Sequence, residues 1–218
     1  MSQNGEKFVE EINAMEKSKV DKKKKIIQIG VIAIIVILLL SFLGDDSCII
    51  ETDAMNTGAV YDCSFSEAKE IVEDALYECY DVKLSLDEDF ELTKNSDGIA
   101  TTYIYVNDTL LEYSLGVEFS VYDDKINAVV FKTDTSMYNF DGLGVIQELY
   151  VEVVNEMTDD DIDIEEVKDI VRSGAVDTEY YRNDTLHFIC GDAESVVYYY
   201  MFCACTGEYA QSRGAETF

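Results

Sequence analysis

Lys22, Lys23, Lys24 and Lys25 run directly into an apolar stretch, Ile26–Leu43, in which Gln28 and Ser41 are the polar side chains and no residue is charged. As a helix this stretch is roughly 27 Å long at 1.5 Å per residue, about the thickness of a bilayer core. A basic flank resists translocation, so the four lysines act as topology determinants that hold the N-terminus in the cytoplasm. The apolar run exceeds the roughly 7–15 residues of a signal-peptide core. Ser41-Phe42-Leu43-Gly44-Asp45-Asp46 then offers no small-x-small cleavage site. The expectation is an uncleaved signal-anchor: a single-pass protein of the cell membrane whose remaining chain is extracytoplasmic.

Charge divides at the same place. Seven of the 16 basic and five of the 45 acidic residues precede position 44, leaving nine basic against 40 acidic, a net of −31. Nucleic acid is excluded as a partner, because its phosphates are bound through Lys and Arg. A domain this acidic attracts cations or a basic protein surface instead. Proline is absent, so no stiff Pro-rich stalk lifts the domain off the membrane.

The order of segments follows from periodicity and turn residues. Residues 1–25 form a short basic cytoplasmic stub, 26–43 the transmembrane helix and 44–62 a polar spacer. Ser64 with Glu67 makes a capping box. Behind it Ala68, Ile71, Val72, Ala75, Leu76 and Cys79 recur every three or four residues, which predicts a helix over 65–80. Four β-rich segments follow, Phe90–Lys94, Ile99–Val106, Leu110–Tyr122 and Ile126–Lys132. They are parted by Asn95-Ser96-Asp97-Gly98, Asn107-Asp108 and Asp123-Asp124. Connections this short require antiparallel pairing, a meander. Gly116 within the third strand suggests a bulge.

Leu143, Ile146, Leu149, Val153 and Met157 then line a helix capped by Asn139 or Asp141. A second helix starts at an Asp163–Glu166 capping box and stops at Gly174. Strands return at Val176–Arg182, Thr185–Cys190 and Ser195–Cys205, before a polar tail over 209–218. The fold class is α+β, in the order α-ββββ-αα-βββ, with helices segregated from an antiparallel sheet over 63–208. Asn107-Asp108-Thr109-Leu110 recurs as Asn183-Asp184-Thr185-Leu186, which admits a degenerate duplication.

Catalytic signatures are sparse. His187 is the single histidine and sits in a predicted strand, without a Gly-x-Ser-x-Gly elbow or a Walker-type loop anywhere in the chain. A structural or surface role is expected for it, and no cofactor is implied. His187, Cys190, Cys203 and Cys205 make a poor zinc set, because strand residues three apart point to opposite faces. The run Asp159–Glu166 lacks the glycine and the terminal glutamate of an EF-hand loop, so weak divalent-cation binding is the most it suggests.

Cys48, Cys63, Cys79, Cys190, Cys203 and Cys205 are an even set in a compartment that permits disulfides, with the pairing open. Cys63–Cys79 is excluded, because helix 65–80 would hold them roughly 24 Å apart and a disulfide needs Cα atoms within about 7 Å.

These readings point to a non-catalytic, membrane-anchored binding module whose partner is a protein or another envelope component, a basic surface being one option. Two alternatives stand beside it. An envelope hydrolase would show a deep pocket where His187 meets a buried carboxylate and a nucleophile. A thiol or metal module would use Cys190, Cys203 and Cys205.

Overall fold

The computed structural model describes residues 48–217 apart from 82, 109–113, 135–139, 174–177 and 193–196. The stretch 26–43 and its flanking lysines lie outside that set. Among the described residues no helix is long and apolar enough to cross a membrane.

The elements are β1 (Ile49–Glu51), β2 (Ala59–Tyr61), α1 (Phe65–Tyr80), α2 (Leu86–Asp89), β3 (Glu91–Ser96), β4 (Thr101–Asn107), β5 (Ser114–Tyr122) and β6 (Lys125–Asp134). After them come α3 (Phe140–Met157), α4 (Ile164–Ser173), β7 (Thr178–Arg182), β8 (Thr185–Asp192), β9 (Val197–Ala204), α5 (Gly207–Arg213) and β10 (Glu216–Thr217). The α+β class and the order of the main helices and strands are as expected.

The capping box at α1 is complete. Ser64 Oγ accepts from the Glu67 amide at 3.2 Å and Glu67 Oε2 accepts from the Ser64 amide at 2.8 Å. Two orphan donors are thereby satisfied at the helix start. At α4 the Asp163 amide donates to Glu166 Oε2 at 3.1 Å, and Asp163 Oδ1 accepts from the Glu165 amide at 2.7 Å.

Two antiparallel meanders, β3–β6 and β7–β9, with β10 added parallel to β7 at one edge, make one eight-stranded sheet, ordered β10-β7-β8-β9-β6-β5-β4-β3. The last strand of each meander pairs antiparallel with the other, from Ala128↔Cys203 to Asp134↔Val197. Asp123-Asp124 and Asn183-Asp184 turn the chain with positive φ at both central residues, the geometry of a two-residue hairpin matched to strand twist. Alternation along the strands sends Val117, Phe119, Val129, Phe131, Ile189, Tyr200 and Phe202 into the main core beneath α1, α3 and α4. A second cluster of Ala128, Leu186, Cys203, Cys205 and Ala210 lies on the opposite face, under α5.

Several local expectations are corrected. Gly116 sits in regular register between Val106 and Lys132, and the irregularity falls instead between Ser120 and Val121, opposite Asn127. Asn127 leaves the ladder there to donate to Thr57 Oγ1 (2.7 Å) and the Ala59 carbonyl (2.9 Å). Those acceptors belong to a segment read as polar spacer, which is the β1–β2 hairpin with Ala59, Val60 and Tyr61 buried. Tyr61 packs on Phe202 at 5.8 Å between ring centroids. Three apolar residues are too few to show a period, so the hairpin left no trace in the pattern.

The polar tail likewise holds α5, whose Ala210 closes the second cluster. Asp141 lies inside α3 and is not its cap. Asn139, Gly174 and the start of the predicted strand Leu110–Tyr122 fall outside the described residues.

Candidate functional site

Two clusters of ionisable side chains stand out, one sealed and one open.

The sealed cluster centres on His187 in β8. Its Nδ1 meets the Tyr150 hydroxyl from α3 at 2.7 Å, and its Nε2 meets Asp160 Oδ2, from the α3–α4 connection, at 2.9 Å. A carboxylate only accepts, so Nε2 carries a proton, and in the neutral ring Nδ1 accepts from Tyr150. Asp160 Oδ1 has no hydrogen bond, but Arg182 Nε lies 3.8 Å away and Arg182 also reaches Glu166 at 3.6 Å. The connection itself is stapled. Asn155 exchanges hydrogen bonds with Ile162 (2.9 and 3.1 Å), and Thr158 Oγ1 accepts from the Asp160 amide at 3.0 Å. Burial pushes the Tyr150 hydroxyl well above the ordinary phenol range, with the Asp160 charge adding to it.

His187 therefore does meet a buried carboxylate and a hydroxyl, the constellation a hydrolase would need. It lacks the pocket. His187 and Tyr150 are 0% exposed and Asp160 is 5%. A catalytic group must come within hydrogen-bond reach of its substrate, and none of these three reaches the surface. The relay compensates a buried charge and ties helix to sheet.

The open cluster is a groove of about 610 Å³ between α1 and α3. Helical spacing builds it. Glu67, Glu70, Asp74 and Glu78 rise along α1 at intervals of three and four, and Glu152 and Glu156 do so on α3. Asp62 completes the rim, while Cys63, Ile71, Ala75 and Met157 form an apolar floor. Two of the acids are committed, Asp62 to Lys125 at 2.5 Å and Glu67 to the α1 cap, which holds its carboxyl below the usual range. Among the described residues no Lys or Arg pairs with Glu70, Asp74, Glu78, Glu152 or Glu156. Like charges one helical turn apart cost about 0.2–0.5 kcal/mol per pair, and this fold carries that cost on both helices.

Burial, and then Glu67, push the Cys63 thiol up to about 11, so at neutral pH it is the unreactive protonated form. Among the described residues no group of three or more His, Cys, Asp or Glu is placed to hold a metal ion. The zinc set is split by the sheet. His187 faces Tyr150 under the helices, whereas Cys203 and Cys205 lie under α5, both with thiols raised to about 12, chiefly by burial. The side chain of Cys190 is outside the described set.

In the Asp159–Glu166 run, Asp160 answers His187 and Arg182, while Asp163 and Glu166 cap α4. Among the described residues Cys48, Cys63, Cys79, Cys203 and Cys205 are free thiols. Cys63 and Cys79 flank opposite ends of α1, Cys203 and Cys205 are neighbours on one strand face, and Cys48 lies against the Asp159 amide.

Sequence reasoning singled out His187 and the Asp159–Glu166 run, but not that Asp160 and Tyr150 meet at His187, and it did not find the groove. The acid stripes were readable at helical spacing, but nothing local says that α1 and α3 face each other. No family model, no curated protein and no solved structure matches the chain.

Two outcomes are expected. Asp160→Ala removes the acceptor of the His187 Nε2 proton and lowers unfolding free energy by about 1–3 kcal/mol, measured by denaturant titration. Alkylation of Cys63 in the folded protein is slow at pH 8 and accelerates as pH rises toward 11, followed by mass spectrometry.

Proposed function

We propose that the protein is a single-pass membrane protein with a cytoplasmic N-terminus, and that its extracytoplasmic domain is a non-catalytic binding module. Its partner is a protein of the cell envelope that inserts a cationic segment carrying apolar side chains into the α1–α3 groove. The observation that carries this reading is the pair of facing acid stripes over the floor of Ile71, Ala75 and Met157.

Magnitudes assign the two parts different tasks. Exposed ion pairs are worth about 0.2–1 kcal/mol each, so the five uncommitted carboxylates contribute a few kcal/mol at most. They steer a basic ligand and exclude acidic ones. Affinity must come from apolar side chains placed on the floor, at about 25 cal/mol per Å².

The mirrored sheet order also supports reading the two halves as a degenerate duplication. β4 and β7 are both third from the seam in their own half, and the repeated Asn-Asp-Thr-Leu begins at the last residue of β4 and directly after β7.

The test uses the full chain in detergent and a fluorescent amphipathic peptide rich in Lys and Leu. Binding read by anisotropy should weaken at least tenfold in Glu152→Lys/Glu156→Lys and fall as salt rises. Equal binding of an acidic peptide of the same apolar content would refute the reading.

A further inference from the structure

The face of the large sheet opposite α1, α3 and α4 is covered by α5 at one end, around Leu186, Cys203 and Ala210. Beyond α5 the cross-strand row Ile104–Glu118–Val130–Met201–Phe188–Glu179 crosses six strands in continuous register. Ile104, Val130, Met201 and Phe188 on it are half-buried. An antiparallel sheet with one solvated face normally alternates apolar-in with polar-out. Here the outward positions at the centre of the sheet are apolar.

The charges around this row differ from those on the rest of the domain. Glu118 is ion-paired with Lys132, whose ammonium lies 5.3 Å from the centroid of the Tyr199 ring. Glu179 is held by both nitrogens of an Arg213 fork. Each flank of the Val130–Met201–Phe188 strip is thus a neutralised pair. A basic partner gains nothing from such a surface and is better served by the groove. A second copy of this chain is itself strongly acidic, and like charge repels it from the rims of the groove. The two carboxylates of this row, Glu118 and Glu179, are already answered by Lys132 and Arg213.

We infer that this sheet face is the interface between two copies of the chain, packed face to face across the Val130–Met201–Phe188 strip. The composition is that of an interface, an apolar centre with a polar, ion-paired rim. Aligned sheets pack about 10 Å apart with strands crossing near 30°. The strip and its rim span roughly 20 Å by 24 Å at sheet spacings. That is about 480 Å² in projection and more with side-chain relief, near the roughly 600 Å² per partner at the lower end of stable interfaces. Met201 suits the centre, since its flexible thioether adapts to a facing copy.

Light scattering of the full chain in detergent, with the detergent mass subtracted, tests this over a range of concentrations. The wild type should pass from monomer to dimer. Met201→Glu and Lys132→Glu should each raise the dimer dissociation constant at least tenfold, with Glu152→Lys/Glu156→Lys leaving it unchanged. Lys132→Glu keeps every apolar residue and sets two carboxylates side by side, so it decides the matter if Met201→Glu fails to fold. A wild type that stays monomeric at every concentration, bare or with another molecule on this face, overturns the inference. So does a dimer that Lys132→Glu leaves intact.

Discussion

The antiparallel pairing of β6 with β9 is the contact on which the rest of the domain depends. It joins two meanders that are otherwise separate in sequence. On its helix face it sets Val129 beside Phe202 and Phe131 beside Tyr200. Tyr150 of α3 packs on Tyr200 at 5.7 Å and on Phe202 at 6.0 Å, and Tyr61 of β2 reaches Phe202 from the far end. Burying large aromatic side chains is the strongest stabilising term available to such a core. The position of α3 therefore follows from the seam, and the groove in turn follows from α3, because its second wall is the exposed stripe of that helix.

The His187 relay fastens the same assembly from the side. Tyr150 uses one molecule-spanning contact twice, its ring on the seam and its hydroxyl on His187. A buried carboxylate left alone is costly, and a paired one costs little if its remaining lone pairs are served. Asp160 has a histidine on one oxygen and an arginine near the other. Such a group adds little net stability but penalises any arrangement in which α3, β7 and β8 are out of place. Geometry alone makes it look catalytic, and burial removes that role.

Legibility in the sequence tracked the range of the interactions. The α1 helix and both capping boxes were readable because each is settled within a few residues of chain. The meanders were readable because Asp123-Asp124 and Asn183-Asp184 are strong turn formers and the strands beside them are rich in β-branched and aromatic residues. The β1–β2 hairpin was not, since its three inward residues acquire meaning only against Phe202 and Asn127. The same holds for α5, read as tail until Ala210 is seen beneath Cys203. The relay joins residues 37 and 27 positions apart, and the groove needs two helices brought together by a sheet. Both are consequences of topology, which periodicity does not report.

Hydrogen–deuterium exchange of the backbone amides tests the central claim most directly, because exchange in the core reports the free energy of the opening that exposes it. If the β6–β9 seam holds the domain together, the amides of Val129–Phe131 and Tyr200–Phe202 are the slowest to exchange. They then share one free energy with the inner strands of both meanders, equal to that of global unfolding. Two distinct free energies, with β3–β6 and β7–β9 opening independently, would contradict the account.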